Sequence, residues 1–475
     1  MKEHICVLLA SVFLLTAACF LPPSEVEQCD AVVYPPATSH PPALHIEGQY
    51  FKDPLGRVVL LRGVNATGDA KVPPFMPLAD SSLLDPLPAW GVNVIRLVLT
   101  WEAFEPQRCR YDENYLDYYE RVVDAAAERD IYVIVDFHQD AYSRFSVHGC
   151  GEGFPAWAVS SAVPLATPNN SQACANWGIM MTLNLRHHTT WNHFHSDREL
   201  ARTRFLDMLT AVADRMAPHP NVIGYDIINE PWGTNRELLS LYEKAAVVIR
   251  SRHPEAILFV SPHALVSDIA ASNMSRPSFD NFAYAPHFYD SNIWLSNAWR
   301  GNDPGRRLNQ HLNKAGEWDV PMLLGEFGGE PDTANIEGYI EAIYRWLDAR
   351  FIGGTQWCYT PGWTEHAKDG WNGEDFSIVD NLGNIRANFM PRPYPQKTAG
   401  IPISFVRSED GFTYLWENNP TLGETELFVP PDYMAGKVLT VQAPADGGGD
   451  CVQSAQIIRC QITENGEVSV VVGAP

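Results

Sequence analysis

Two glutamates in this chain stand where hydrolytic chemistry would need them. Glu230 closes the apolar run 222–228 and Asn229, and Pro231, Trp232 and Gly233 then stop the strand pattern. Glu326 closes a second apolar run, 322–325, and is followed by Phe327 and Gly328. Breaking an acetal linkage takes one carboxylic acid to protonate the leaving oxygen and one carboxylate to attack or assist at the anomeric carbon. Barrels of parallel strands build their active sites from strand C-termini, which is where both patterns place a carboxylate. Glu230 suits the acid, with Asn229 beside it to bond a sugar 2-hydroxyl. Glu326 suits the ionised partner, and Tyr289 and Arg96, each at or near a strand end, are the donors that would hold it charged. Two strand-end glutamates in ordinary ion pairs are the bland alternative, and their matched settings weigh against it.

Other groups end strands too. His138 lies in Asp136-Phe-His-Gln-Asp140 and His287 in Pro286-His-Phe-Tyr289, placed to hold a hydroxyl or tune the acid. Trp357 closes the last strand pattern, where an indole makes a floor for a sugar ring. For a lone histidine or tryptophan, core packing is the competing reading. His187, His188, His193 and His195 invite a metal, but without flanking carboxylates they read as hydrogen-bonded or solvated side chains of a polar loop. No Cys–His spacing reads as a zinc site, so neither a metal nor a cofactor is expected.

The elements that must position these groups are legible as period. Eight strand-like runs, 58–65, 93–99, 131–137, 222–229, 257–261, 282–287, 321–327 and 354–359, alternate with amphipathic helix patterns. Tyr115, Tyr119, Val122, Val123 and Ala126 make one such helical stripe, and Phe205, Leu209, Val212 and Met216 another. Eight βα units close a barrel, so the expected fold is α/β, a (β/α)8 TIM barrel over 45–392. Residues 20–44 read as a Pro-rich linker or strap, and 138–196 as a long loop on the catalytic face, a place for substrate contacts or a lid. After Pro391-Arg-Pro-Tyr-Pro395 the runs become short, β-rich and broken by Gly, Pro and Asn, predicting a small antiparallel β-sandwich over 393–475.

With 475 residues and 45% apolar content the chain can bury a large core. Its formal charge of −23 argues against nucleic acid as a partner. The basic, then apolar, then small-residue start predicts a signal peptide over 1–19 and an exported protein; 15–19 also resembles a lipoprotein box, which would tether the chain through Cys19. In an oxidising compartment Cys150 would pair with Cys174 and Cys451 with Cys460, while Cys358 reads as a buried thiol.

The set Arg96, His138, Asn229-Glu230, His287, Tyr289, Glu326 and Trp357, in this order on strands two, three, four, six, seven and eight, resembles glycoside hydrolase family 5. That resemblance implies retaining chemistry, with the acid/base after strand four and the nucleophile after strand seven. Leu61-Arg-Gly-Val-Asn65 with Lys71, Asp136 to Asp140, Asn229 to Gly233, Gly325-Glu-Phe-Gly328 and Arg392-Pro-Tyr-Pro395 are similar to the endoglycoceramidases within it, as is the β-sandwich tail. This implies a glycosphingolipid substrate cut between glycan and ceramide, transient contact with a lipid aggregate or membrane surface, and Lys71 and Asp140 as ligands of the first sugar. The stretches 359–363 and 371–375 and Asp290 depart from that group's spacing, which leaves the head-group preference open. A polysaccharide-cleaving β-glucanase or mannanase, a β-glucosidase of the same barrel, and an inactive carbohydrate- or lipid-binding protein are the rival readings. The polysaccharide enzyme would need an open cleft of stacking aromatics, and the binding protein would not need a buried carboxylate pair.

Overall fold

A computed structural model describes residues 29–30, 33–35, 40–266, 272–408, 410–444 and 448–475. The stretch expected to be a signal peptide, Cys19 and part of the expected strap fall outside them. Residues 34–475 form one compact unit.

Parallel strands pair in the order of a barrel: β1 (Arg62–Ala66), β2 (Val94–Thr100), β3 (Tyr132–His138), β4 (Val222–Asp226), β5 (Ile257–Val260), β6 (Phe282–Tyr284, resuming at His287–Phe288), β7 (Leu323–Leu324, resuming at Glu326–Phe327) and β8 (Gly353–Tyr359). β8 returns to β1 through Gly354↔Arg62. The circle closes between β6 and β7 through a Tyr284↔Met322 bridge and the pairs His287↔Glu326 and Phe288↔Phe327. All eight expected strands are present. The first is shorter at its start, because Val58–Val59 belongs to a different sheet.

The barrel interior changes character along its length. Toward the strand N-termini it is filled by Val94, Ile134, Ile223, Ile257, Phe259, Ala283 and Leu323. Toward the C-termini the buried side chains are Asn65, Arg96, Asp136, Asp226 and Ser261. Dry packing therefore fixes the strands below, and polar groups stand on that base.

Around the barrel lie α1 (Glu113–Ala127), α2 (Trp177–Leu183), α3 (Leu185–His195), α4 (Ala201–Met216), α5 (Asn235–Arg250), α6 (Gly305–Trp318) and α7 (Ile336–Asp348). Their starts follow from side chains that satisfy free N–H groups: Asp112 accepts from Asn114 and Tyr115 at α1, and Thr234 with Glu237 makes a capping box at α5. The interval 138–196 is not the plain loop the sequence suggests, since it contains α2 and α3. The four histidines sit on α3, where His187 and His195 are buried and His195 meets the carbonyl of Trp232 at 2.7 Å.

Two antiparallel sheets complete the chain. One has the order β10 (Gly400–Arg407), β11 (Phe412–Asn418), β16 (Gly466–Gly473), β13 (Val438–Gln442). The other joins β9 (Tyr394–Thr398), β12 (Thr425–Phe428), β15 (Ile457–Ile462) and β14 (Gly449–Ser454) to His45–Glu47, Tyr50–Lys52 and Val58–Val59. A division at 392/393 thus does not separate the two parts in space, because residues before the barrel complete the C-terminal sheet. On α7, Glu341 binds Arg392 and Arg407, and Asp348 binds Arg62 and Arg407, so the sandwich is ion-paired to the barrel wall. Disulfides join Cys150 to Cys174 and Cys451 to Cys460, and Cys358 is a buried thiol.

Candidate active site

At the C-terminal mouth of the barrel the structure brings every expected site residue together. Arg96, on β2, is the hub. Its Nε donates to Asp226 at 2.9 Å, Nη1 to Asn65 at 2.9 Å and Glu326 at 2.7 Å, and Nη2 to Asp136 and Asn229, each at 2.8 Å. A rigid guanidinium fork is what five converging acceptors require, and the buried cation offsets three buried carboxylates. Burial would lower the Arg96 cation, but Asp136, Asp226 and Glu326 hold it far above its usual value. Burial in turn raises the Asp226 carboxyl to about 6, against the pull of Arg96.

The two glutamates differ. Both oxygens of Glu326 are held: Arg96 takes Oε1, and the Tyr289 hydroxyl donates to Oε2 at 2.9 Å. Gly328 lets this strand end lie against β8, since a Cβ there would sit 2.4 Å from the Trp357 carbonyl. Glu230 meets one partner, His287 Nδ1 at 2.9 Å, and its side chain stays 20% exposed toward the mouth. Its backbone takes φ +36°, a left-handed value that costs a non-glycine residue energy. Gln139 secures that bend by donating to the carbonyls of both Asn229 and Glu230, at 2.7 and 2.9 Å. Burial raises the Glu230 carboxyl above its usual range, opposed by His287 and reinforced by the charges of Glu326 and Asp140. His287 also lies 3.5 Å from Glu326, and one oxygen of each glutamate and the His287 nitrogen are all within 4.8 Å of one another.

A second cluster stands beside the first. Lys71, from the segment after β1, is buried with its Nζ 2.6 Å from Asp140 and 4.3 and 4.1 Å from the rings of Trp357 and Trp371. Burial works against the Lys71 cation, but Asp140, Glu374 and Glu152 raise it. Asp140 also accepts from Asn229 at 3.2 Å. His138 stacks on Trp357 with ring centroids 5.3 Å apart, and its Nδ1 meets Asp136 at 2.6 Å. Burial would lower its imidazolium; Asp136 overrides that and, with Asp140, raises it to about 10. His138, Asp140 and Glu152, and separately Glu230, His287 and Glu326, are compact enough to hold a cation. In the first set Lys71 already supplies the charge.

Several residues here escaped the sequence reading. Gln139 and Asn65 lay inside recognised motifs without a role, and Asp226 was one polar residue in an apolar strand run. Glu152 is fully buried, pairs its backbone with Asp140, and brings a carboxyl oxygen 3.7 Å from His138 Nε2. Mainly through burial, its carboxyl is raised to about 8. Glu374, in the loop after β8, accepts from Trp177 Nε1 at 2.9 Å and is raised by burial to about 7. Trp371 stacks near Trp177, with centroids 5.3 Å apart. Trp157 packs against Trp101 at the edge of the core, whereas Trp177 reaches the site through Glu374 and Trp371.

The model of the Cellulase family (glycosyl hydrolase family 5) matches residues 56–362, and that of the glycoside hydrolase family 5 C-terminal domain matches 392–472. Endoglycoceramidase I of Rhodococcus hoagii is 28% identical over 469 residues, covering 91% of this chain and 88% of that protein. Among solved structures, endo-glycoceramidase II from Rhodococcus sp. superposes with TM-score 0.74 at 24% identity, covering 90% of this chain and 99% of that one. Sterylglucosidase 1 of Cryptococcus neoformans does so with TM-score 0.75 at 18% identity, over 92% and 98%.

Proposed function

The chain belongs to glycosyl hydrolase family 5 and is a glycosidase, and from that premise we propose that it cleaves the β-glycosidic bond between glycan and ceramide in glycosphingolipids with retention of configuration. The observation that carries the reaction type is the short separation of the two glutamates. Retaining enzymes hold their carboxyl groups about 5–5.5 Å apart and inverting ones about 6.5–9.5 Å. One oxygen of Glu230 and one of Glu326 lie within 4.8 Å of each other, a closeness that supports the retaining arrangement.

In this reading Glu326 attacks the anomeric carbon while Glu230 protonates the departing ceramide oxygen. Burial shifts the Glu230 carboxyl toward its neutral form, the direction an acid for that step needs. Once the glycosyl–Glu326 ester forms, Glu230 removes a proton from water, and the resulting hydroxide equivalent releases the sugar. Arg96 and Tyr289 fix the attacking carboxylate, and His287 bridges the pair. Asn229 would receive the 2-hydroxyl, Lys71 and Asp140 further hydroxyls, and Trp357 the ring face.

The ceramide part rests on the likeness to endoglycoceramidase I, which runs through both the barrel and the C-terminal region. Export of the chain belongs to the same proposal: the Cys150–Cys174 and Cys451–Cys460 disulfides suit an oxidising compartment, and among the described residues no helix is long and apolar enough to cross a membrane. The test is product analysis on glucosylceramide, galactosylceramide, lactosylceramide and cellulose. Intact ceramide with free glycan is expected, and activity confined to cellulose would refute the lipid reading.

A further inference from the structure

The apolar ridge on α2 and the start of α3 has no place in the chemistry above. Ile179 and Leu183 lie four residues apart on one face of α2, and Leu185 follows at the start of α3; they are 64%, 76% and 80% exposed. The opposite face of α2 buries Met181 and half-buries Trp177 against Ala141 and Val147, so the helix is seated and the ridge is its outward side. Three large aliphatic side chains bare to water within seven residues need an occupant.

Two further observations say what that occupant is. Residues 153–196 contain no Asp or Glu, in a chain with 57 acidic residues and a formal charge of −23. Over this excursion the chain lacks the negative charge that would keep it away from phosphate head groups, and Arg186, exposed beside Leu185, adds a cation. The helix that carries the ridge also reaches the site. Trp177, on the same helix, donates to Glu374 and packs on Trp371, whose ring lies 4.1 Å from Lys71. A protein-binding hot spot would be built around Trp, Tyr or Arg in a pocket with a polar rim. A purely aliphatic ridge on a short amphipathic helix fits hydrocarbon instead.

We propose that Ile179, Leu183 and Leu185 form a lipid-docking ridge that seats the mouth of the barrel on the surface of a bilayer or lipid aggregate. The proposal deepens the ceramide reading and rests on it for its purpose, since a two-tailed substrate has to be drawn from such a surface. The helices are anchored by their inner faces and by the Cys150–Cys174 disulfide just before α2, so the ridge can be changed without disturbing the barrel.

The test compares wild type with I179S/L183S/L185S. In flotation with phosphatidylcholine vesicles free of glycolipid, wild type should float and the variant should lose most of that binding. On glucosylceramide embedded in the same vesicles, kcat/KM should fall about tenfold, and on a water-soluble aryl β-glucoside it should not change. Equal flotation and equal vesicle rates in the two proteins would overturn the ridge. So would a wild-type dimer that the substitutions turn into a monomer, since the ridge would then be a self-association surface. Wild type that floats but cleaves no glycosphingolipid would refute the ceramide reading while leaving the ridge standing.

Discussion

The floor of the barrel mouth and the excursion that overhangs it are built on opposite plans. The floor concentrates charge: Arg96 on β2 gathers Asp136, Asp226 and Glu326 from three other strands, each side chain fixed by at least one short bond. The excursion over 153–196 carries no Asp or Glu, and its Trp177 meets the site through an indole hydrogen bond to Glu374 and ring contact with Trp371. Reaction chemistry needs donors and acceptors held to a fraction of an ångström, so it sits on strand ends over a dry core. Docking of a greasy aglycone, as proposed, needs area and permits variation, which an insertion supplies. The same barrel can thus keep its reaction while changing what it cuts.

The sharpest way to break this contrast is at the floor. Glu326→Gln should lower turnover on every substrate, soluble or lipid, by on the order of 10⁴-fold, with binding largely kept, as measured by steady-state kinetics and calorimetry. Turnover near wild type would remove Glu326 from the chemistry. Glu230→Gln should cost about 10²–10⁴-fold on a glycolipid, whose alkoxide leaving group needs the proton. On an aryl glycoside with an acidic phenol, formation of the glycosyl-enzyme should stay near normal, giving a burst in stopped-flow. A uniform loss on both substrates would contradict the acid role.

Arg96→Lys keeps the charge but loses the fork that orients Glu326, and about 10²-fold in kcat is expected with little change in KM. Arg96→Met should instead be severely destabilised, because breaking a buried ion pair costs about 3–5 kcal/mol. A smaller effect tests the second cluster. The folded protein keeps the Glu152 proton up to about pH 8. An unfolded chain releases it in the ordinary glutamate range. Below that range the two states carry the same proton; above it the folded state binds more, so stability falls as pH rises toward about 8. Glu152→Gln keeps the neutral shape, so its Tm should fall less than that of wild type between about pH 5 and 8. Parallel Tm curves would mean that Glu152 is not a neutral buried acid.

The same contrast explains what could be read from the chain itself. Strand ends were legible because apolar runs are long, Gly and Pro punctuate them, and a carboxylate after such a run is unusual. The Arg96 partnership with Glu326 was anticipated, although Arg96 lies inside β2 rather than at its end as expected. Helix α3 was hidden because its inward stripe, His187, Thr190, Trp191, Phe194 and His195, has helical spacing but mixes polar residues into the buried face. The pairing of Val58–Val59 with β9 was hidden because it joins segments more than three hundred residues apart, which no local pattern signals. Glu374 was missed for a similar reason, as the Trp177 that orients it comes from α2, far away in sequence.

In the proposed reaction Glu326 carries the glycosyl group between two steps. Incubation with a 2-deoxy-2-fluoro-β-glucoside bearing an activated leaving group, followed by proteolysis and mass spectrometry, tests it directly. A fluoroglycosyl ester on Glu326, formed as activity is lost and cleared as activity returns on adding an acceptor, is the predicted result. An ester on another residue, or inactivation with no covalent sugar and a first-formed product of inverted configuration, would contradict it.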